Sequence, residues 1–185
     1  MKRWFIAIVV AQLVFLVGES VYYQVRRETG AEIRLKVVPV DPRSLFMGNY
    51  MTLSYDVSRL SAWQCKSHGL DTSTLGRNQT VFVGLAQGMK FAKVVDIVLT
   101  IPPKHDPSIV YVRGRVTRNW SMMRGASGPS DIWVEYGIER YFIPEARQEE
   151  VNRMGRNNIV AIASVGPDGQ AMLKGIEVNG KRLEY

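Results

Sequence analysis

Asp41-Pro42-Arg43-Ser44-Leu45-Phe46-Met47-Gly48-Asn49-Tyr50-Met51-Thr52-Leu53-Ser54-Tyr55 is the stretch that sets the character of the chain. Asp41 precedes a proline and is pushed toward extended geometry. Gly48-Asn49 tolerates left-handed backbone angles, so the chain reverses sharply there. Beyond the turn, Met51, Leu53, Tyr55 and Val57 alternate with Thr52, Ser54 and Asp56, which predicts a strand with one buried face. An acid, a base, a hydroxyl and an amide crowd this corner, yet no nucleophile–base pair stands out within it.

The same period of two recurs in both directions. Ile33, Leu35 and Val37 alternate with Glu32, Arg34 and Lys36. Residues 80–86 and 89–95 read as a hairpin through Gln87-Gly88, with 96–100 either continuing the second strand or starting another. In the strand 109–116, Gly114 marks a bulge or a close backbone approach. Ile132, Val134, Tyr136 and Ile138 predict one more strand, and 159–165 and 170–178 are joined by Gly166-Pro167-Asp168-Gly169. Asn179-Gly180 turns the chain a last time. Residues 58–78 read as a loop with a little local structure and 119–130 as a loop, and Pro144-Glu145 opens a short helix that Gly155 ends. About eight strands result. The fold class expected is mainly β: a small antiparallel β-barrel or sandwich with one short helix, behind a single N-terminal transmembrane helix.

That helix is read from Trp4-Phe5-Ile6-Ala7-Ile8-Val9-Val10-Ala11-Gln12-Leu13-Val14-Phe15-Leu16-Val17, which Gln12 alone interrupts, and from the extension Val21-Tyr22-Tyr23. From Trp4 to Val25 a helix rises roughly 33 Å, enough for a hydrocarbon core of about 30 Å. Trp4, Tyr22 and Tyr23 suit the two interfaces. Glu19 lies close enough to the far end to reach the interface or a partner helix. Small residues around Gly18-Glu19-Ser20 also suit a cleaved signal peptide, but the apolar and aromatic continuation favours an uncleaved anchor. Residues 1–25 are therefore expected to be a signal-anchor and 26–185 an extracytoplasmic β-rich domain. Lys2 and Arg3 point to a cytoplasmic N-terminus and a periplasmic domain, with Arg26-Arg27 weakening the asymmetry.

The 46% apolar content supports a real core, and the 22% charged content excludes a disordered chain. A net charge of +7 suits a domain beside an anionic membrane surface; the basic residues form no long run, so no nucleic-acid partner is expected. Cys65 is the single cysteine, and His68 and His105 sit in different loops with no carboxylate at ligand spacing. No metal and no cofactor are expected.

Asp41-Pro42-Arg43 followed by Gly48-Asn49-Tyr50 and Leu53 resembles the GDYXXLXP family of bacterial membrane-anchored proteins. Gly114-Arg115-Val116, Tyr136-Gly137-Ile138-Glu139-Arg140-Tyr141-Phe142-Ile143-Pro144 and the segment 171–181 extend the resemblance over nearly the whole chain. Asn49 stands where the family has aspartate and Tyr55 where the name implies proline; an amide keeps the turn but removes any acid–base or metal role. The resemblance implies a single-pass envelope protein of the inner membrane, often encoded beside polytopic membrane proteins. A polytopic membrane partner is therefore expected, with Gln12 and Glu19 as candidates for helix–helix contact.

Asp41, Arg43, Asn49, Tyr50, Glu139, Arg140 and Tyr141 are the candidate binding residues. If the two motifs meet, their charges form either a recognition surface, since arginine forks hold carboxylate or phosphate, or an ion-pair network that locks a corner. Tyr50, Tyr136, Tyr141 and Phe142 form either a ligand patch or core. A membrane-anchored serine–lysine hydrolase is the enzymatic alternative, with Ser44 as nucleophile and Lys90 or Lys93 as a base activated by burial. The flanking Ser-Met-x-Pro pattern of those enzymes is missing here. A small-ligand-binding β-barrel is the third reading.

Overall fold

In the computed structural model, which describes residues 2–38, 46–47, 50–119, 131–142 and 159–184, the first element is a single unbroken helix, α1 (Lys2–Thr29). Its 28 residues rise roughly 42 Å. Residues 3–25 are all exposed, and the apolar ones lie on every side of the helix. A helix that over residues 3–25 is apolar all round and lies free of the rest of the described chain has the character of a membrane span. By length and composition it is long and apolar enough to cross a membrane once.

The end of α1 is clasped to the rest of the protein. Arg26 pairs with Asp168, Arg27 Nη2 donates to the Lys174 carbonyl at 2.7 Å, and Ser164 Oγ donates to the Arg26 carbonyl at 3.2 Å. Gly30 alone separates the helix from the first strand, and a Cβ there would strike Ser164 Oγ and the Val165 carbonyl. The helix thus enters the domain without a flexible linker.

The strands are β1 (Ala31–Lys36), β2 (Phe46–Met47), β3 (Tyr50–Thr52), β4 (Arg59–Leu60), β5 (Thr80–Gln87), β6 (Ala92–Val98), β7 (Ile109–Asn119), β8 (Ile132–Glu135), β9 (Arg140–Phe142), β10 (Ile159–Val165), β11 (Ala171–Val178) and β12 (Lys181–Glu184). They form three sheets ordered β1-β10-β11-β12, β2-β3-β9 and β4-β8-β7-β5-β6, with antiparallel pairing. Of the two alternatives the sandwich holds: among the described residues the sheets do not close, and the protein is a helix plus a β sandwich. Ile33 and Leu35, Met51, and Val83, Val112 and Ile132 come from all three sheets and share one buried cluster with Leu53. That cluster fills the space a ligand-binding barrel would leave open.

β10 is buried along its whole length because both its faces are covered. Ala161, Ala163 and Val165 enter the core, whereas Ile162 lies in register with Arg34 on the other side. There Arg34 pairs with Glu177 at 2.8 Å, and Glu32 receives Lys174 at 3.1 Å and Arg182 at 3.6 Å. Such pairs add little stability individually, but their aliphatic stems cover apolar backbone and side chains.

Several expectations change in detail. The alternation of Met51, Leu53, Tyr55 and Val57 holds as a burial pattern, but the strand ends at Thr52 and resumes only as a bridge from Tyr55 to Val37. Residues 58–78, expected to be a loop with a little local structure, hold more of it than that. They contain β4, a helix α2 (Ala62–Ser67) and a 3-10 turn (Thr72–Thr74), and they bury Cys65, Leu70 and Leu75. α2 starts on a capping box: Ser61 Oγ accepts from the Gln64 amide at 3.2 Å while Gln64 Oε1 accepts from the Ser61 amide at 3.0 Å. The second strand of the first hairpin runs Ala92–Val98 rather than 89–95. The expected helix from Pro144 to Gly155 lies outside the described residues.

Candidate functional site

The segment expected to be a strand through Ile138 becomes a corner. β8 stops at Glu135, and Gly137 turns the chain at φ +82°, a conformation that costs glycine nothing. The Glu139 carboxylate bends back to accept from the Tyr136 amide at 2.5 Å and the Gly137 amide at 2.9 Å. The Leu53 amide donates to the Glu139 carbonyl at 2.7 Å, and the Tyr55 hydroxyl donates to the Ile138 carbonyl. The Tyr136 hydroxyl reaches the opposite way, to the Val57 carbonyl at 2.6 Å. The strand beginning at Tyr50 and the corner at 136–139 are thus cross-bonded by two buried tyrosines.

Burial, and then the nearby Glu139 charge, push the Tyr55 hydroxyl well above its ordinary value, and Tyr136 behaves likewise. Neither phenol is poised to ionise. They hold carbonyls that no strand partner satisfies, since a buried unpaired carbonyl is costly. Cys65 is equally quiet, with burial pushing its thiol up to about 11.

Burial also raises the Glu139 carboxyl, against the pull of the amides that bond it. The folded value therefore lies above the unfolded one, near 4.5. The folded state holds the extra proton between those two values, so this contribution is complete below the unfolded pKa and is lost as pH rises through the folded one. Glu139→Gln should flatten that part of the profile. In denaturant titrations stepped from pH 4 to pH 8, the wild type should lose more stability than the variant; parallel profiles would refute the assignment.

The described candidate residues are dispersed in role. Tyr50 pairs with Phe142 and Thr52 with Arg140 through the β3–β9 backbone; Arg140 is exposed. Tyr141 is buried, its hydroxyl donating to the Leu183 carbonyl at 3.0 Å, so that β9 is tied to β12. Tyr136 and Tyr141 are core and Phe142 is half exposed. Glu139 meets backbone amides. Lys90 and Lys93 are both exposed, without the burial that activates a lysine base. Asp41, Arg43, Ser44 and Asn49 lie outside the described residues.

Two groupings escaped the sequence. The first gathers both histidines around the bonded Tyr111–Asp96 pair. Tyr111 donates to Asp96 Oδ2 at 2.6 Å, His68 Nδ1 lies 3.4 Å from Asp96 Oδ1, and His105 packs edge-on to Tyr111 at 5.1 Å. Burial and then the Asp96 bond push the Tyr111 hydroxyl up to about 12, so it serves as a donor rather than a base. The four residues come from α2's C-cap, β6, the 99–108 connection and β7, which only the folded pairing of β5 with both neighbours brings together. The second grouping is a cleft at the exposed face of β7, lined by Thr80, Arg113, Arg115, Glu135, Gly137 and Gln170.

An antiparallel β sandwich led by one apolar helix, with a tyrosine-bonded corner as its most constrained feature, defines the class of protein. Over residues 12–176 the chain matches the model of the GDYXXLXY protein family, and it belongs to that family. The eighth letter of the name is tyrosine, which Tyr55 supplies, so Asn49 for aspartate stands as the one difference in Gly48-Asn49-Tyr50-Met51-Thr52-Leu53-Ser54-Tyr55. No curated protein and no solved structure gives a significant match.

Proposed function

We propose that the protein is a single-pass inner-membrane protein whose β domain is a non-enzymatic accessory module, held on the periplasmic side for a polytopic membrane partner. The observation that carries this reading is α1 itself: an exposed, apolar helix with Gln12 and Glu19 among the polar residues inside its apolar span. Seven residues apart, they share one helical face, next to the small residues Ala11 and Gly18. Polar side chains in hydrocarbon seek hydrogen-bonding partners, and small neighbours let a second helix approach. The partner's matching feature is a transmembrane helix that presents a hydrogen-bonding side chain.

The clasp through Arg26 and Arg27 supports an uncleaved anchor, because the same helix that spans the membrane is built into the domain. Lys2 and Arg3 at its other end support a cytoplasmic N-terminus. Affinity purification of the full-length protein in mild detergent should recover a polytopic membrane protein. The Gln12→Leu, Glu19→Leu double variant should lose most of that recovery while remaining in the membrane fraction. Undiminished recovery with the double variant would overturn the assignment of the contact face.

A further inference from the structure

We infer that the cleft on the exposed face of β7 is a phosphoryl-binding site at the level where α1 leaves the membrane. Its volume is about 440 Å³, enough for a lipid or sugar phosphate headgroup. Arg113 and Arg115 are two residues apart on one strand, so both side chains leave the same face, with Cα atoms roughly 6.5–7 Å apart. That spacing lets two guanidinium forks close on one tetrahedral anion from opposite sides.

The two arginines differ from the ion-paired basic side chains of the domain. Arg26, Arg34, Arg59, Lys174 and Arg182 each have a carboxylate partner. Among the described residues, Arg113 and Arg115 have none, although Glu135 is in register with Arg115 across the β7–β8 pair. Thr80 faces Arg115 from β5 and supplies a hydroxyl. Gln170 supplies an amide at the opposite wall. The cleft therefore offers two cations, two neutral hydrogen-bonding groups and one carboxylate.

Its place in the molecule follows from the turn that borders it. The Arg113 amide donates to the Gly169 carbonyl at 2.7 Å, which seats the 166–169 turn on β7. Gln170 Oε1, beyond that turn, accepts from Arg26 Nη1 at 3.5 Å, and Asp168 within it pairs with the same arginine. One wall of the cleft is thus bonded to the last turn of α1. A phosphate held by Arg113 and Arg115 sits beside the point where the chain enters the membrane, where headgroup phosphates are concentrated.

The test uses the full-length protein in a neutral detergent, with inorganic phosphate and short-chain phosphatidylglycerol as separate calorimetric probes. Binding of at least one probe is expected. Arg113→Gln with Arg115→Gln should weaken it by about tenfold or more, given the strength of charge-assisted hydrogen bonds. Glu135→Gln should tighten it, because a competing carboxylate is removed. Preference for phosphatidylglycerol assigns the site to a lipid headgroup, and equal or tighter binding of phosphate assigns it to a soluble phosphoryl ligand. Failure of both probes to bind, or wild-type binding by the double glutamine variant, would overturn the site. Should that variant not fold, Arg113→Lys with Arg115→Lys keeps both charges but loses the forks, and its unchanged affinity would count equally against the site. Membrane-partner recovery is expected to survive all these substitutions, so the cleft and the helix face succeed or fail separately.

Discussion

Leu53→Ala should destabilise the domain by about 2–5 kcal/mol, the range for deleting a fully buried leucine from a packed core. Leu53 is 1% exposed and sits where the signature strand meets the corner at 136–139. Its own amide is bonded to Glu139 and the next inward residue, Tyr55, is bonded to Ile138. The surroundings are consequently pinned and poorly able to collapse into the vacated volume, which places the effect toward the upper end. Tyr55→Phe removes only a hydroxyl, leaving the Ile138 carbonyl buried without its donor, and should cost about 1–3 kcal/mol. Urea denaturation of both variants measures the two values. If Leu53→Ala costs less than Tyr55→Phe, the signature leucine is not a core residue of the kind described.

Gly114→Val should be as damaging, through excess volume rather than a cavity. Gly114 lies between Arg113 and Arg115 but faces the interior, where a Cβ would collide with Val134 Cγ1 and approach two carbons of the Tyr136 ring to 3.2 Å. Val134 is 1% exposed and Tyr136 is tied to Val57, so neither moves aside freely. Overpacking of this kind costs about 1–3 kcal/mol and more where the neighbours are fixed. A second substitution separates this cause from a general intolerance of the strand: Val134→Ala, added to Gly114→Val, should restore part of the lost thermal stability. A double variant less stable than either single one would contradict the packing explanation.

The glycine was expected to mark a bulge or a close backbone approach; the β5–β7 ladder passes it without a shift, and the groups that crowd it are the Val134 and Tyr136 side chains. The inward set Met51, Leu53, Tyr55 and Val57 was legible from the alternation, although of these only Met51 lies in a ladder strand, Tyr50–Thr52. Side-chain alternation records which face is buried; it does not record where backbone partners run out. The Ser61–Gln64 capping box was present in the sequence and signalled α2, but the polar composition around it hid the signal.

What the sequence withheld was juxtaposition. The Glu139 carboxylate bonds locally, to the Tyr136 and Gly137 amides, but nothing in the sequence shows that Leu53 and Tyr55 dock on the same corner. His68, Asp96 and Tyr111 are distant in sequence and meet through strand pairing. The arginine cleft depends on the 166–169 turn seating against β7, a contact no spacing rule anticipates.

Site-specific photo-crosslinking within α1, in native membranes, addresses the membrane contact most directly. A photoreactive amino acid would replace Gln12 or Glu19 on one face, or Val10 or Val17 on the opposite face, in the full-length protein. The expected result is a discrete adduct with a polytopic membrane protein from positions 12 and 19 and little from 10 and 17. Equal adduct yields from the two faces, or a protein that leaves the membrane fraction when salt is raised, would contradict an anchored module that meets its partner through this face of the helix.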